Sequence, residues 1–306
     1  MGAIAKMSTI AVRRGEFPAR LRPGTTTRLG RFVRAEPFVA ACLLLFLLLA
    51  VCVVAPGLVA PADPTKGQLR EVRQAPSLVH PFGTDALGRD VVSRVIYGAR
   101  ISLAVGVLAT AVGAALGGLL GLVAGFAGGF VDTLAMRFVD VMLAFPGVLL
   151  AMAIVAARGT GTGNLVFAIG IASIPGYARL VRGQVLSVRK RPFVEASLAA
   201  GAGPVRLMLR HVLPNVVSPV IVLATVGIGF SLLAGSSLSF IGLGAQPPSP
   251  EWGAMLADGR SFLNDAWWIA TFPGLAIFLT VIAVNVVGQW LRERFDPKRA
   301  RWRRAG

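Results

Sequence analysis

Few residues of this sequence have the types and the spacing that catalysis or metal binding requires. The two histidines, His80 and His211, lie far apart in the chain, so they do not predict a metal cluster or a Ser-His-Asp arrangement. The two cysteines, Cys42 and Cys52, share one apolar segment, where we expect them to be small apolar side chains of a helix. The sequence therefore predicts neither a catalytic residue nor a metal site.

A nucleotide site of the P-loop type is not predicted either. Its pattern, G-x-x-x-x-G-K-[ST], holds phosphates with backbone N–H groups and a lysine. None of the lysines has this context, and these are Lys6, Lys66, Lys190 and Lys298. We therefore predict that the chain is not an enzyme and has no cofactor of its own.

The composition indicates a membrane protein. Of 306 residues, 55% are hydrophobic and only 15% are charged, and the mean hydropathy is +0.71. Soluble domains carry roughly 25% charged residues. A net charge of +17 could indicate nucleic-acid binding, but the basic residues lie between apolar segments and form no groove interleaved with aromatic residues. We therefore expect a lipid bilayer as the surroundings and no nucleic acid as a partner.

Six apolar segments are each long enough to cross a bilayer, since about 20 helical residues span about 30 Å. They are Phe38–Leu58, Ile101–Phe126, Phe138–Ala157, Asn164–Val185, Val216–Phe240 and Trp267–Leu291. We predict an all-α membrane protein with six transmembrane helices. Its parts are a basic tail (1–36), a first transmembrane helix (37–58), an extracytoplasmic segment (59–97), a five-helix core (98–291) containing a polar loop (191–215), and a second basic tail (292–306).

The distribution of positive charge predicts the orientation. Most of the 31 basic residues lie in the two tails and in the connection between spans four and five, in which we place Arg179 and Arg182. The positive-inside rule then puts both termini and this connection in the cytoplasm. By these boundaries the span centres carry no ionisable residue, which argues against a proton-coupled carrier but leaves sodium coupling open. We expect Asp140 to be solvated or paired near Arg137, and a functional role remains the alternative.

Glycines recur every fourth residue in the second span. Their regular spacing favours close packing against a neighbouring helix, as in G-x-x-x-G motifs, and a hinge is the alternative. The glycines concerned are Gly113, Gly117, Gly121 and Gly125.

The connection after span four predicts two short helices. Residues 194–200 are good helix formers, Gly201 and Gly203 interrupt them, and Pro204 is suited to start a second helix. Such a cytoplasmic helix-turn-helix could bind a partner protein, or it could be an ordinary basic loop at the membrane surface.

This connection resembles the EAA loop of ABC importer permeases. Glu195-Ala196-Ser197 is followed by Gly201 and then by Leu213-Pro214, with departures from the family pattern at Ser197 and His211. Three other stretches, residues 80–103, 136–146 and 238–256, are similar to the dipeptide/oligopeptide branch (C-type subunit), which includes nickel and glutathione importers, as is RHVLPN, residues 210–215.

The resemblance implies a type I ABC importer permease fold in a bacterial cytoplasmic membrane. It also implies a second homologous permease, an extracytoplasmic solute-binding protein and two cytoplasmic ATPases that bind ATP and Mg. The implied cargo is a di- or oligopeptide, with nickel or glutathione as alternative cargoes of the same type of complex. A self-sufficient secondary carrier is the alternative to an ATP-driven importer. The implied coupling residues are Glu195, Ala196, Ser197, Gly201, Arg210, His211, Leu213 and Pro214.

A second motif, GTDALGRD, lies in the predicted extracytoplasmic segment. Its Asp and Arg side chains could pair with one another at the start of span two, or they could contact the binding protein, and the first option is favoured because Asp and Gly commonly build turns. The residues singled out are Gly83, Thr84, Asp85, Gly88, Arg89 and Asp90.

Overall fold

The protein is described by a computed structural model that covers residues 36–295. Most of the two basic tails therefore lies outside the described residues. Within the described part the chain is mainly helical and forms no β-strand, which confirms the predicted fold class. The helices are α1 (Pro37–Val54), α2 (Val91–Ala127), α3 (Gly129–Leu143), α4 (Gly147–Arg158), α5 (Thr162–Arg189), α6 (Pro192–Ala199), α7 (Pro204–Leu207), α8 (Leu213–Phe240), α9 (Trp252–Gly259) and α10 (Trp268–Phe295).

Five helices are long and apolar enough to cross a membrane. They are α1, α2, α5, α10 and the run Pro204–Phe240, which joins α7 and α8 through one π turn, Met208–Val212. The sixth candidate is the pair α3 and α4, which counts as one span only if its break is included. The prediction of six spans is thus matched by five continuous helices and one broken one.

The third predicted span is not one straight helix. α3 ends at Leu143, α4 begins at Gly147, and the two axes meet at 88°. Pro146, at the break, has extended backbone (φ −54°, ψ 129°) and cannot donate the backbone hydrogen bond that would continue a helix. The third apolar segment, predicted as one span, is therefore divided into two helices at this proline.

Two other boundaries differ from the prediction. α2 begins at Val91, ten residues earlier than the apolar segment, because the Asp90 side chain accepts a hydrogen bond from the backbone N–H of Ser93 and caps the helix. α5 continues to Arg189, so Arg179 and Arg182 lie inside a helix and not in the connection that follows it.

Helices α2 and α5 form the most closely packed pair. A Cβ atom on Gly113 would lie 2.7 Å from the Cβ of Ser173, and one on Gly117 would lie 2.5 Å from the carbonyl oxygen of Ile174. Gly121 and Gly125 meet α5 in the same way, so the two backbones are in contact along this stripe. α8 packs against both helices, and α10 packs mainly on α8 and α9.

Candidate functional site

Residues 191–215 form a bend of two short helices, which we call the elbow. Its first helix, α6, starts at Pro192 and ends at Ala199, and Gly201 follows with φ of +80°. The N–H of Gly201 bonds to the carbonyl of Leu198 and that of Ala202 to Ser197, at 2.9 and 3.0 Å. This is a Schellman motif, which requires the left-handed backbone that glycine adopts without strain.

The second half of the elbow joins the long helix without a break in helical structure. Gly203 precedes Pro204 at the start of α7, and the π turn Met208–Val212 connects α7 to α8. Pro214 is the second residue after that turn and lacks the N–H that an α-helical bond would need. The N–H of Leu213 bonds to the carbonyl of Met208, five residues earlier, so the helix widens ahead of the proline.

One face of the elbow is anchored to the helix bundle. Val194, Leu207 and Val212 are each 3% exposed or less. They form one apolar cluster with Val185 and Val188 at the end of α5. Burial of several aliphatic side chains, at roughly 1.5–3 kcal/mol each, makes the elbow and the end of α5 one packed unit.

The opposite face of the elbow is exposed and apolar. Its four large side chains are Phe193, Leu198, Val205 and Leu209, which are 40%, 52%, 63% and 53% exposed. Arg206 and Arg210 are exposed beside them. An exposed apolar patch with a basic rim is typical of a protein-binding surface.

The remaining elbow residues take distinct positions. The exposed Glu195 lies in the first turn of α6, where its negative charge interacts favourably with the helix dipole. Its carboxylate is also accessible to a partner protein. Ala196 and Pro214 are exposed, and Leu213 is half-buried. Nε2 of His211 lies 3.4 Å from Oγ of Ser197. These are the two residues at which the sequence departs from the EAA pattern, and they are therefore close to each other in the elbow.

The GTDALGRD motif forms a closed turn before α2. Gly83 and Gly88 have φ of +72° and +70°, and Thr84 forms a β-bridge with Asp90. The Asp85 carboxylate accepts from Nε of Arg89 at 2.6 Å and lies 3.4 Å from Nε of Arg94.

Hydrogen bonds connect this turn to the rest of the chain. Trp268 on α10 donates its indole N–H to the carbonyl of Thr84 at 3.0 Å, and Nδ1 of His80 lies 3.0 Å from the Asp90 carboxylate. Asp85, Arg89 and Asp90 are all at least 93% buried. Asp85 therefore pairs with Arg89 inside the motif and lies close to Arg94, whereas the partners of Asp90 are His80 and Ser93, which lie outside the motif.

A cavity of about 230 Å³ lies beside this turn. It is lined by Asp85, Arg89 and Arg94 from the α2 side and by Asp258 from α9. Burial raises the pKa of the Asp258 carboxyl, while the two arginines act in the opposite direction.

Sequence reasoning missed Glu251 and Asp132 and gave Asp140 the wrong partner, because the partners of all three are distant in the chain. Glu251, 2% exposed, caps α9 and accepts from Oγ of Ser102, 149 residues away. Asp132 pairs with Arg182, and Asp140 pairs with Arg179 at 2.6 Å and not with Arg137 as expected. The signal in the sequence was only that acidic residues stood near helix ends.

A larger cavity, of about 430 Å³, opens between α3, α4, α5 and α8. Its walls are almost wholly apolar, and Leu143 and Gly147 at the α3–α4 break contribute to them. The hydroxyl of Tyr177 lies buried in this wall with no hydrogen-bond partner among the described residues.

Comparison with known proteins decides the family. The family described as "binding-protein-dependent transport system inner membrane component" matches residues 117–301, which include the elbow and most of the core. The chain belongs to this family. It is therefore a permease component of an ABC importer, a multi-pass protein of the bacterial inner membrane and not itself an enzyme.

Alignments with similar permeases cover nearly the whole chain. The glutathione transport system permease protein GsiD of Escherichia coli O1:K1 / APEC is 49% identical over 269 residues, 88% of each chain. GsiD of Shigella flexneri serotype 5b (strain 8401) is 50% identical over the same length and coverage. This permease therefore matches its relatives across the elbow, the core and the GTDALGRD turn.

Proposed function

We propose that this permease imports small peptides, with glutathione as the first candidate. The observation that carries the proposal is the 49% identity to permeases named for glutathione transport, over 88% of both chains. Glutathione is itself a modified tripeptide, so the proposal agrees with the peptide-importer resemblance of the elbow. Nickel import remains the second candidate within the same branch.

The elbow is the proposed docking site for the ATPases. Its exposed side carries Phe193, Leu198, Val205 and Leu209, and its other side is packed to the end of α5. An ATPase that binds the exposed side would move α5 and the run Pro204–Phe240 together with the elbow. ATP and Mg would be held by those partner subunits.

The elbow then faces the cytoplasm, and the GTDALGRD turn faces the opposite side. The basic residues of the elbow and of both tails support this orientation by the positive-inside rule. The proposed arrangement also includes a second homologous permease, which completes the translocation path, and an extracytoplasmic solute-binding protein.

Reconstitution of the whole transporter tests the proposed cargo. The permease would be placed in proteoliposomes with its partner permease, both ATPases and its binding protein, and supplied with radiolabelled glutathione, a labelled dipeptide or ⁶³Ni²⁺. We expect glutathione uptake that requires ATP and the binding protein. Uptake of nickel alone would overturn the peptide proposal, and uptake by this chain alone, driven by an ion gradient, would overturn ATPase coupling.

A further inference from the structure

Two ion pairs attach α3 to α5. The guanidinium of Arg182 donates from Nε and Nη2 to the two carboxylate oxygens of Asp132, at 2.5 and 2.6 Å. Nη2 of Arg179 donates to the Asp140 carboxylate at 2.6 Å. The two acids lie eight positions apart on α3, so they fasten this helix at two points along its length.

Apolar burial holds α3 only weakly. Val139 is the buried residue of this helix, whereas Phe130, Leu134 and Phe138 are 80%, 60% and 56% exposed. A helix with so little buried apolar surface can shift relative to its neighbours at small cost. The ion pairs are therefore the main specific contacts that fix α3 to α5.

The two ion pairs differ in strength. The Asp132 and Arg182 side chains are 16% and 35% exposed and bond through both carboxylate oxygens. The Asp140 and Arg179 side chains are 50% and 55% exposed and share a single hydrogen bond. Bidentate, partly buried pairs are stronger than exposed ones, so Asp132–Arg182 is the principal attachment.

These pairs lie between the elbow and the larger cavity. α5 is packed to the elbow at one end, and Nη1 of Arg189 also donates to the carbonyls of Gly125 and Phe126 at the end of α2. α3 leads directly into its break with α4, where Leu143 and Gly147 line the cavity. A displacement of the elbow therefore has a continuous route of contacts to the cavity wall.

We propose that Asp132 and Asp140 are positioning residues for transport, which make α3 and the cavity wall move together with α5 when the elbow moves. The proposal rests on the proposed docking of the ATPases at the elbow. If the two acids had a purely structural role, their removal would lower the stability of the protein alone. In the proposed role, their removal lowers the ratio of transport to ATP hydrolysis.

Distance measurements test the attachment directly. Spin labels at Leu134→Cys on α3 and Ser187→Cys on α5, with Cys42 and Cys52 replaced by alanine, would report the α3–α5 distance in the complete transporter. We expect the same narrow distance distribution at rest and after trapping with Mg-ATP and vanadate. In Asp132→Asn/Asp140→Asn, the distribution should broaden or shift between the two states. An unchanged distribution in the double variant, or a shift in the parent, would overturn the proposal.

Coupling measurements test its consequence. In proteoliposomes supplied from outside with radiolabelled glutathione and the binding protein, Asp132→Asn should reduce the uptake per ATP hydrolysed by about fivefold, a typical size for a lost coupling contact. The exchange Asp132→Arg/Arg182→Asp should recover most of the loss, and Arg137→Gln, an exposed cation of α3 outside both ion pairs, should leave the ratio unchanged. A proportional fall in uptake and hydrolysis would show a structural role only.

The two measurements separate this inference from the proposed function. If the ATPases fail to co-purify with the parent permease, the docking proposal fails, although the spin-label distances at rest still test the ion pairs. If the ATPases bind and hydrolyse ATP but the α3–α5 distance is unchanged in Asp132→Asn/Asp140→Asn, only the present inference fails.

Discussion

Single residues in this permease act through backbone geometry as much as through side-chain chemistry. At Gly201 an added Cβ would meet no atom within 4 Å, so the requirement for glycine arises from φ of +80° and not from crowding. Gly203, two residues later, has φ of −67° and equally open surroundings. The same substitution at the two positions therefore distinguishes an effect of the backbone conformation from an effect of added size or charge.

We expect Gly201→Asp to remain in the membrane but to uncouple ATP hydrolysis from uptake, because a non-glycine residue at this φ costs about 1–2 kcal/mol and would distort the Schellman turn. Gly203→Asp adds the same charge at a helix N-cap, where Asp is favoured, and should retain coupling. Uptake and ATPase activity in proteoliposomes would be measured for both. Equal loss in the two variants would mean that the added charge is responsible.

A second prediction concerns the buried charges of the GTDALGRD turn. Asp85→Ala leaves Arg89 and Arg94 without their carboxylate partner, and loss of one member of a buried ion pair costs about 3–5 kcal/mol. We expect a clear fall in thermal stability in detergent. Asp63→Ala, which removes an exposed carboxylate paired with Lys66 at 3.5 Å, is the control and should have little effect. Equal melting temperatures for the two variants would contradict the structural role of the turn.

At the scale of helices, the sequence predicted those whose signal is local. All-α structure followed from the long apolar segments, and the Gly201–Pro204 interruption followed from residues whose backbone preferences are intrinsic. Pro146 breaks a span whereas Pro175, Pro219 and Pro273 lie inside helices. The difference depends on which neighbours replace the lost hydrogen bond, and a single sequence does not specify those neighbours.

Ion pairs between distant helices were beyond sequence reasoning for the same reason. Asp140 was expected near Arg137, three residues away, but its partner is Arg179 on another helix. The register between α3 and α5 decides this choice, and that register is set by packing. The early start of α2, by contrast, had a local signal that was overlooked, because Asp90 and Ser93 have the spacing of an N-cap.

The α2–α5 contact gives a prediction at this scale. A methyl group at Gly121 would overlap the carbonyl oxygen of Ala178, whereas one at Gly118 would lie 4.0 Å from the nearest side-chain atom, on Val181. We expect Gly121→Ala to destabilise the fold by about 1–3 kcal/mol through overpacking. Gly118→Ala should be neutral or slightly stabilising, since alanine favours helices.

The measurement can use the native thiols of this permease. Cys42 and Cys52 are both buried, so a fluorogenic thiol reagent reports thermal unfolding in detergent without added labels. A lower melting temperature for Gly121→Ala than for Gly118→Ala is expected. The same melting temperature for both would show that α2 and α5 can separate freely at this point.

At the scale of the whole molecule, the orientation in the membrane decides which surface meets which partner. The elbow and the GTDALGRD turn lie at opposite ends of the long helices by their order along the chain. The elbow combines exposed apolar side chains with arginines, and the positive-inside rule then makes the cytoplasm its proposed side.

Labelling of introduced cysteines tests this orientation. In a Cys42→Ala/Cys52→Ala background, Leu198→Cys on the elbow should react with a membrane-impermeant maleimide only after the cells are opened. Leu78→Cys, fully exposed in the segment before the GTDALGRD turn, should react in intact spheroplasts. The reverse pattern would show that the protein has the opposite orientation in the membrane, and the elbow could then not bind cytoplasmic ATPases.

The run Pro204–Phe240 has a consequence for how far a disturbance reaches. Its 37 residues, at about 1.5 Å each, make a rod of roughly 55 Å, which exceeds a hydrocarbon layer of about 30 Å by nearly half its own length. Because the surplus begins in the elbow, we expect a displacement of the elbow to be carried along this one helix into the membrane.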